Sequence, residues 1–260
     1  MDIRNFGTAP AIDREINISG GGVWRVAEET PVAFLYNGRN YAVMLATPAD
    51  LADFAIGFST TERIIRNIDE METVEIHHGD RGVDLRIRID EAAISRLDAR
   101  QQRRNLVGQA GCGVCGVENA DVFFEPLKKV STELLRVPAR ALVRAATSLP
   151  SFQPLNNRTR TVHAAAWASL SGDILEARED VGRHNALDKL LGARIRTAAD
   201  NDGFVIMSSR CSYEIIEKAA RAGVRAVLSV SAPTSFAVRK AREANIALYA
   251  LAGEKVAEIV

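Results

Sequence analysis

Cysteine is scarce in this chain. Three in 260 residues is a low, odd count, which argues against a disulfide scaffold and fits a reducing compartment. Neither charge sign is in excess, since 33 Lys and Arg face 33 Asp and Glu. The chain therefore lacks the basic surplus of a general nucleic-acid binder, while a local basic patch for an anion stays open. No apolar run approaches the roughly 18 residues that a membrane helix requires. The polar opening MDIRNFGTAPAIDREINISG has no apolar stretch of the secretory-signal kind. Internal repeats and low-complexity tracts are missing too. These absences predict a soluble, cytoplasmic protein that binds neither nucleic acid nor membrane, and 260 residues suffice to bury a sizeable core.

What is present reads as two unequal parts behind a leader. Residues 1–22, ending in Ser19-Gly20-Gly21-Gly22, predict a flexible leader. Residues 23–135 predict a smaller, β-rich α+β domain. Its strand-like runs at 23–27, 32–36 and 41–46 include the hairpin signal Asn37-Gly38, and alternating runs follow at 72–78 and 83–89. Between them Thr47-Pro48 predicts a helix start with Thr47 as cap, and Leu51, Phe54, Ala55 and Phe58 share one helical face. The basic run 100–104 reads as an exposed linker. Residues 136–260 alternate apolar strands (204–208, 224–230, 246–251) with amphipathic helices (182–191, 214–222, 235–244). That alternation implies an α/β domain with a parallel sheet covered by helices.

The most informative stretch is Gly111-Cys112-Gly113-Val114-Cys115-Gly116. Three glycines let backbone N–H groups approach a sulfur, which favours the nucleophilic thiolate. Two intervening residues let one thiol reach the other, so a persulfide or mixed disulfide can be resolved inside the loop. Structural zinc needs four ligands. Cys211 and the histidines at 77, 78, 163 and 184 lack finger-type spacing, so no tightly held metal is expected. A thioredoxin-type pair opens a helix, whereas Val122, Phe123 and Phe124 read as extended. Sulfur handling, dithiol redox chemistry and an incidental turn all remain open on these residues alone. Cys211, past a buried strand, reads as a small apolar filler.

In a parallel sheet, ligands gather at strand carboxyl ends and the helix N-termini beyond them. Ser209-Arg210-Cys211-Ser212 and Ser231-Ala232-Pro233-Thr234 occupy two such junctions. Hydroxyls, helix amides and Arg210 suit phosphate or another anion, and simple capping by Ser212 and Thr234 is the plainer alternative. Arg183 and His184 would likewise open a helix facing an anion. His163, ahead of three alanines, reads as a core histidine.

In order along 50–250, several segments resemble the FdhD/NarQ family of formate dehydrogenase accessory proteins. They are DFAIGF at 53–58 with Thr61-Glu62, CGVCG at 112–116, HAAA at 163–166, REDVGRHNALDK at 178–189, SRCSYE at 209–214 and VSAPTS at 230–235. The resemblance implies a sulfurtransferase that takes persulfide sulfur from a cysteine desulfurase. Cys112 would bear the persulfide, with Cys115 as its partner. The sulfur would pass to the molybdenum of a bis(molybdopterin guanine dinucleotide) cofactor, bound as substrate and destined for formate dehydrogenase. The resemblance also implies a homodimer and a three-layer, cytidine-deaminase-like α/β/α domain at 136–260. The deaminase zinc motif does not occur, because Ala165 stands where that motif has Glu. Cofactor contacts are expected from Arg183, His184, Ser209, Arg210, Ser231 and Thr234. Further contacts are expected from Leu251, Ala252, Gly253, Glu254, Lys255 and Val256, where the family usually carries an arginine-containing segment that ends in an aromatic residue. A cofactor-holding chaperone without sulfur chemistry is the alternative.

Overall fold

The computed structural model describes residues 1–104, 126–200, 202–252 and 255–260. The fold is α/β and is built on two main sheets. The first joins β1 (Asp2–Phe6), β4 (Thr30–Tyr36), β5 (Arg39–Ala46), β6 (Met71–Gly79) and β7 (Gly82–Ile89) in the order β1-β6-β7-β4-β5. Asn37 and Gly38 both have positive φ (48° and 80°), as a two-residue type I′ hairpin turn between β4 and β5 requires. Along β7, Val83, Leu85, Ile87 and Ile89 are buried while their neighbours are not. One face of the sheet is therefore the core face, covered by α1 (Leu51–Thr61) and α2 (Glu91–Arg104).

The second sheet joins β8 (His163–Ala168), β9 (Ile174–Asp180), β10 (Phe204–Met207), β11 (Ala226–Ser229), β12 (Ala247–Ala252) and β13 (Lys255–Glu258) in the order β13-β12-β11-β10-β8-β9. Period-2 alternation splits its side chains between two cores. Ala165, Trp167, Val205, Met207 and Val227 pack under α5 (Arg183–Arg196), α6 (Tyr213–Arg221) and α7 (Ser235–Ala244). Ala164, Ala166, Ala168, Phe204, Ile206 and Leu228 pack against α3 (Ala139–Ser148) on the other face. The second sheet thus lies between two helical layers, helix on sheet on helix. A short α4 (Pro154–Thr159) precedes β8.

The two halves meet helix to helix. A Cβ on Gly57 of α1 would lie 1.8 Å from the Asp188 carbonyl oxygen, and one on Gly192 of α5 would lie 1.8 Å from that of Asp53. Only glycine permits backbones so close. Nine of the eleven α1 residues are buried, because this helix is covered by a sheet on one side and by α5 on the other.

Four expectations need correction. Residues 1–22 are not a loose leader: β1 pairs in parallel with β6, and β2 (Asp13–Asn17) pairs with β3 (Val23–Ala27). These short strands, DIRNF and DREIN, are largely exposed and so lack the apolar alternation that advertises a strand. The run 100–104 continues α2, whose buried anchors Ala93 and Leu97 precede the charged end. Thr47 caps no helix, since α1 starts three residues later than expected, after Asp50 in a left-handed conformation. The second sheet is mixed: β10, β11 and β12 are parallel, but β8, β9 and β13 run antiparallel to their neighbours. No helix among the described residues is long and apolar enough to cross a membrane.

Candidate functional site

The directions of the strands bring six chain segments to one edge of the second sheet. These are the carboxyl ends of β9, β10, β11 and β12 and the starts of β8 and β13. Helices α5, α6 and α7 each begin at this edge. Their first N–H groups have no intrahelical partners and carry the positive end of the helix dipole, so the edge is suited to an anion.

The turn from β9 into α5 is held rigidly. Asp180 is fully buried and accepts from Gly182 N at 2.8 Å, Asn185 Nδ2 at 2.9 Å and Thr47 N at 3.0 Å. Lys189 Nζ donates to the Thr47 carbonyl at 2.8 Å and pairs with Asp180 Oδ2 at 2.6 Å. Thr47 Oγ1 accepts from Val181 N at 3.2 Å, and Asn185 Nδ2 also reaches the Leu45 carbonyl at 2.9 Å. The end of β5 thereby grips the turn that presents Arg183 and His184. Gly182 offers this helix no side-chain cap, which leaves its amides for a ligand.

At the helix start, His184 Nε2 lies 2.9 Å from Glu214 Oε2 and 3.4 Å from Ser212 Oγ. Arg183 approaches the same carboxylate at 3.9 Å, and its Nε is buried with no hydrogen-bond partner among the described residues. The His184 hydrogen bond holds the Glu214 carboxyl below its ordinary range, against the effect of burial. His163 begins β8 opposite Asp180. Burial, helped by the Arg183 and His184 charges, pushes its pKa down, so the neutral ring dominates at neutral pH. His163 is thus a half-buried edge residue rather than a core histidine.

Beside His163 opens a cleft of about 330 Å³ with apolar walls from Leu149, Pro150, Val162 and Val230 and polar groups from Gln153, Asn156, His163 and Ser208. Apolar walls with a few directed polar groups are the usual makeup of a small-molecule site. Ser208 Oγ is already engaged, accepting from Ala164 N at 2.7 Å.

The residues singled out in the sequence fall as follows. Arg183, His184, Ser209, Arg210, Ser231 and Thr234 all lie at this edge. Arg210 and Ser231 are exposed, while Ser209 is buried and donates to the Arg210 carbonyl at 3.0 Å. Thr234 caps α7, accepting from Ala237 N at 3.2 Å, whereas Ser212 caps nothing and turns to Glu214 at 3.4 Å. Leu251 and Ala252 pair with Val256 and Lys255 in a hairpin at the same edge. Cys112, Cys115, Gly253 and Glu254 lie outside the described residues. Cys211 is the expected filler: it is fully buried, and burial pushes its thiol up to about 12. Among the described residues no group of three or more His, Cys, Asp or Glu is arranged to hold a metal. Glu214 and the Asp180–Lys189–Thr47 network were missed. Their only signal was the density of charged residues in 178–189 and 209–214.

Comparisons with known proteins give the family. A sulfur carrier protein FdhD from Bordetella petrii is 45% identical over 227 residues, which cover 86% of this chain and 80% of the relative. Its namesake from Chromobacterium violaceum is 44% identical over 246 residues, covering 93% and 90%. A crystal structure from Desulfotalea psychrophila, described as a formate dehydrogenase accessory protein, superposes with a TM-score of 0.70. It is 23% identical over 95% of this chain and 94% of that one, and it shares the fold. The model of the FdhD/NarQ family matches residues 27–260, and the chain belongs to that family.

Proposed function

We propose that this protein is a cytoplasmic sulfurtransferase in the maturation of formate dehydrogenase. In this reading it takes persulfide sulfur from a cysteine desulfurase and passes it to a bis(molybdopterin guanine dinucleotide) molybdenum cofactor, bound as substrate. The names of its relatives support the sulfur-carrying role. One observation supports the cofactor half: three helix N-termini, the buried Arg183 Nε and the cleft beside His163 all meet at one sheet edge. Amides and guanidinium suit the phosphates of a dinucleotide, and the apolar cleft with Gln153 and Asn156 suits its base. The cytidine-deaminase-like reading of the second domain is supported by its three layers and its antiparallel β8–β9 edge. The homodimer implied by the family completes the proposal.

In this reading Cys112 bears the sulfur and Cys115 assists. The Cys112 thiolate attacks the outer sulfur of the donor persulfide, the donor's S–S bond breaks, and the donor cysteine leaves as thiolate. Cys112 then carries the persulfide. Attack by Cys115 on the Cys112 sulfur releases the outer atom as hydrosulfide for the metal. The disulfide that remains is reopened by a thiol reductant.

Intact-mass spectrometry after incubation with a cysteine desulfurase and cysteine tests the proposal. A gain of one sulfur atom in the wild type that is lost in Cys112→Ala supports it. No gain in the wild type would leave a protein that holds the cofactor without carrying sulfur.

A further inference from the structure

Gln153 stands at the N-cap of α4, where a side-chain oxygen ordinarily accepts from the first free amides of the helix. Its side chain makes no such bond. Those amides are taken by β9 instead, since Leu155 N and Asn156 N donate to the Glu179 carboxylate at 2.8 and 2.7 Å. The Gln153 amide is thereby left without a hydrogen-bond partner among the described residues, although the residue is only 6% exposed. A covered primary amide kept unpaired costs stability, so native proteins rarely keep one without a use for it. The little surface that Gln153 retains opens onto the cleft of about 330 Å³ beside His163. The Asn156 side chain and the His163 ring line the same cleft and are also without a hydrogen-bond partner among the described residues.

The lining selects the ligand. Among the described residues no Asp, Glu, Lys or Arg lines the cleft. Burial, with the Arg183 and His184 charges, keeps the His163 ring neutral. The cleft therefore suits an uncharged group and leaves an anion to the neighbouring helix N-termini. Its remaining walls, Leu149, Pro150, Val162 and Val230, favour a flat ring over a hydrated chain. A primary amide meets a ring lactam with two parallel hydrogen bonds: its oxygen accepts from the ring N–H and its NH2 donates to the ring carbonyl. Ser208 Oγ already accepts from Ala164 N, which leaves its own proton to donate. That extra donor is answered by an edge bearing a carbonyl and not by one bearing an amino group.

We propose that Gln153 is the specificity-determining residue of this cleft and reads the lactam edge of a bicyclic heterocycle. This role rests on the cofactor half of the reading above. In that cofactor the guanine and the pterin both carry a 2-amino-4-oxopyrimidine edge. A cleft at the small end of ligand sites holds one such ring system.

The test uses the full-length wild type and Gln153→Met, which keeps the side-chain volume and removes the amide. Titration calorimetry compares two pairs, GDP with ADP and 6-hydroxymethylpterin with its 2,4-diamino analogue, and inorganic pyrophosphate reports on the anion edge alone. In one pair the wild type should bind the lactam member at least about tenfold more tightly, the scale of one bidentate amide contact. The pair that shows the preference identifies the ring. Gln153→Met should lose that preference and keep its pyrophosphate affinity. It should also unfold at no lower temperature, because methionine leaves no unpaired amide behind, whereas a structural role for Gln153 would lower it. The paired comparison is made on the wild type, so it stands whatever the substitution does to folding. No preference in either pair, or one that survives in Gln153→Met, would overturn the assignment and leave the cofactor reading standing. A wild type that binds none of these ligands would remove the cofactor reading and the role of Gln153 with it.

Discussion

Lys189 Nζ lies 2.6 Å from Asp180 Oδ2, and both side chains are wholly shut off from solvent. Asp180 closes β9, Lys189 sits in the second turn of α5, and Thr47 of the first sheet's chain bonds to both. Two distant stretches of sequence are thus fixed at one point beside Arg183 and His184. A buried ion pair gives up most of its Coulomb attraction to desolvation, so its net contribution to stability is small beside that of an apolar replacement. What it supplies here is position.

Removing one partner therefore costs far more than the pair contributes. Lys189→Met leaves the Asp180 carboxylate buried and uncompensated, and should destabilise the fold by about 3–5 kcal/mol. Asp180→Asn/Lys189→Met should recover part of that loss, because no charge is left stranded. Urea unfolding of the three proteins measures both effects, and equal losses in the single and double variants would contradict the argument.

The α1–α5 crossing allows a similar prediction. Gly192→Ala places a methyl 1.8 Å from the Asp53 carbonyl oxygen and 2.7 Å from Gly57 N. Backbone cannot rotate away as a side chain can, so the helices must separate. The expected cost is about 3 kcal/mol, at the upper end of ordinary overpacking. It should appear as a lower urea midpoint with the same slope. Gly223→Ala is the contrast: a Cβ there meets nothing within 4 Å, and only the positive φ of 74° is strained.

Much of this was legible in the sequence for a physical reason. Strands buried on both faces, such as 204–207 and 226–228, must be apolar throughout. Strands with one wet face, such as 82–89, must alternate. Hence β6, β7, β10, β11 and α5–α7 were all readable. Strands exposed on both faces carry no such signature, which is why β1 and β2 passed for a leader. The edge site was foreshadowed by Ser209, Arg210, Ser231 and Thr234, but which of these hydroxyls are spent locally was not. Thr47 looked like a cap because Thr-Pro begins many helices. Its actual partners, Asp180 and Lys189, are more than 130 residues away, and local pattern carries no information about them.

Burial makes Cys211 inert. With its thiol pushed up to about 12 and the residue fully covered, hardly any thiolate exists at neutral pH. In Cys112→Ala/Cys115→Ala, a maleimide reagent should label Cys211 only as fast as the protein unfolds, and fully in denaturant. Rapid labelling of the native double variant would show that α6 opens away from the second sheet.

His163 should leave a mark on stability against pH. Its folded pKa is pushed below the ordinary 6.5 by burial and by Arg183 and His184, with Asp180 opposing. Between that lowered value and about 6.5 the unfolded chain binds more protons than the native one, so stability rises with pH across this window. Lowering the pH from 7 through 6.5 should therefore destabilise the wild type. Glu214 acts lower down: its carboxyl is held below the ordinary 4.5, chiefly by the His184 hydrogen bond. Its contribution is complete above about 4.5 and is lost as pH falls through the folded value. The two groups act from different starting points, about 6.5 for His163 and about 4.5 for Glu214, so each can be probed by its own substitution. His163→Gln should give a shallower slope as pH falls below about 6.5. Glu214→Gln should give one as pH falls below about 4.5. Urea unfolding at half-unit pH steps reads both limbs, and an unchanged upper limb in His163→Gln would mean that another group carries that proton.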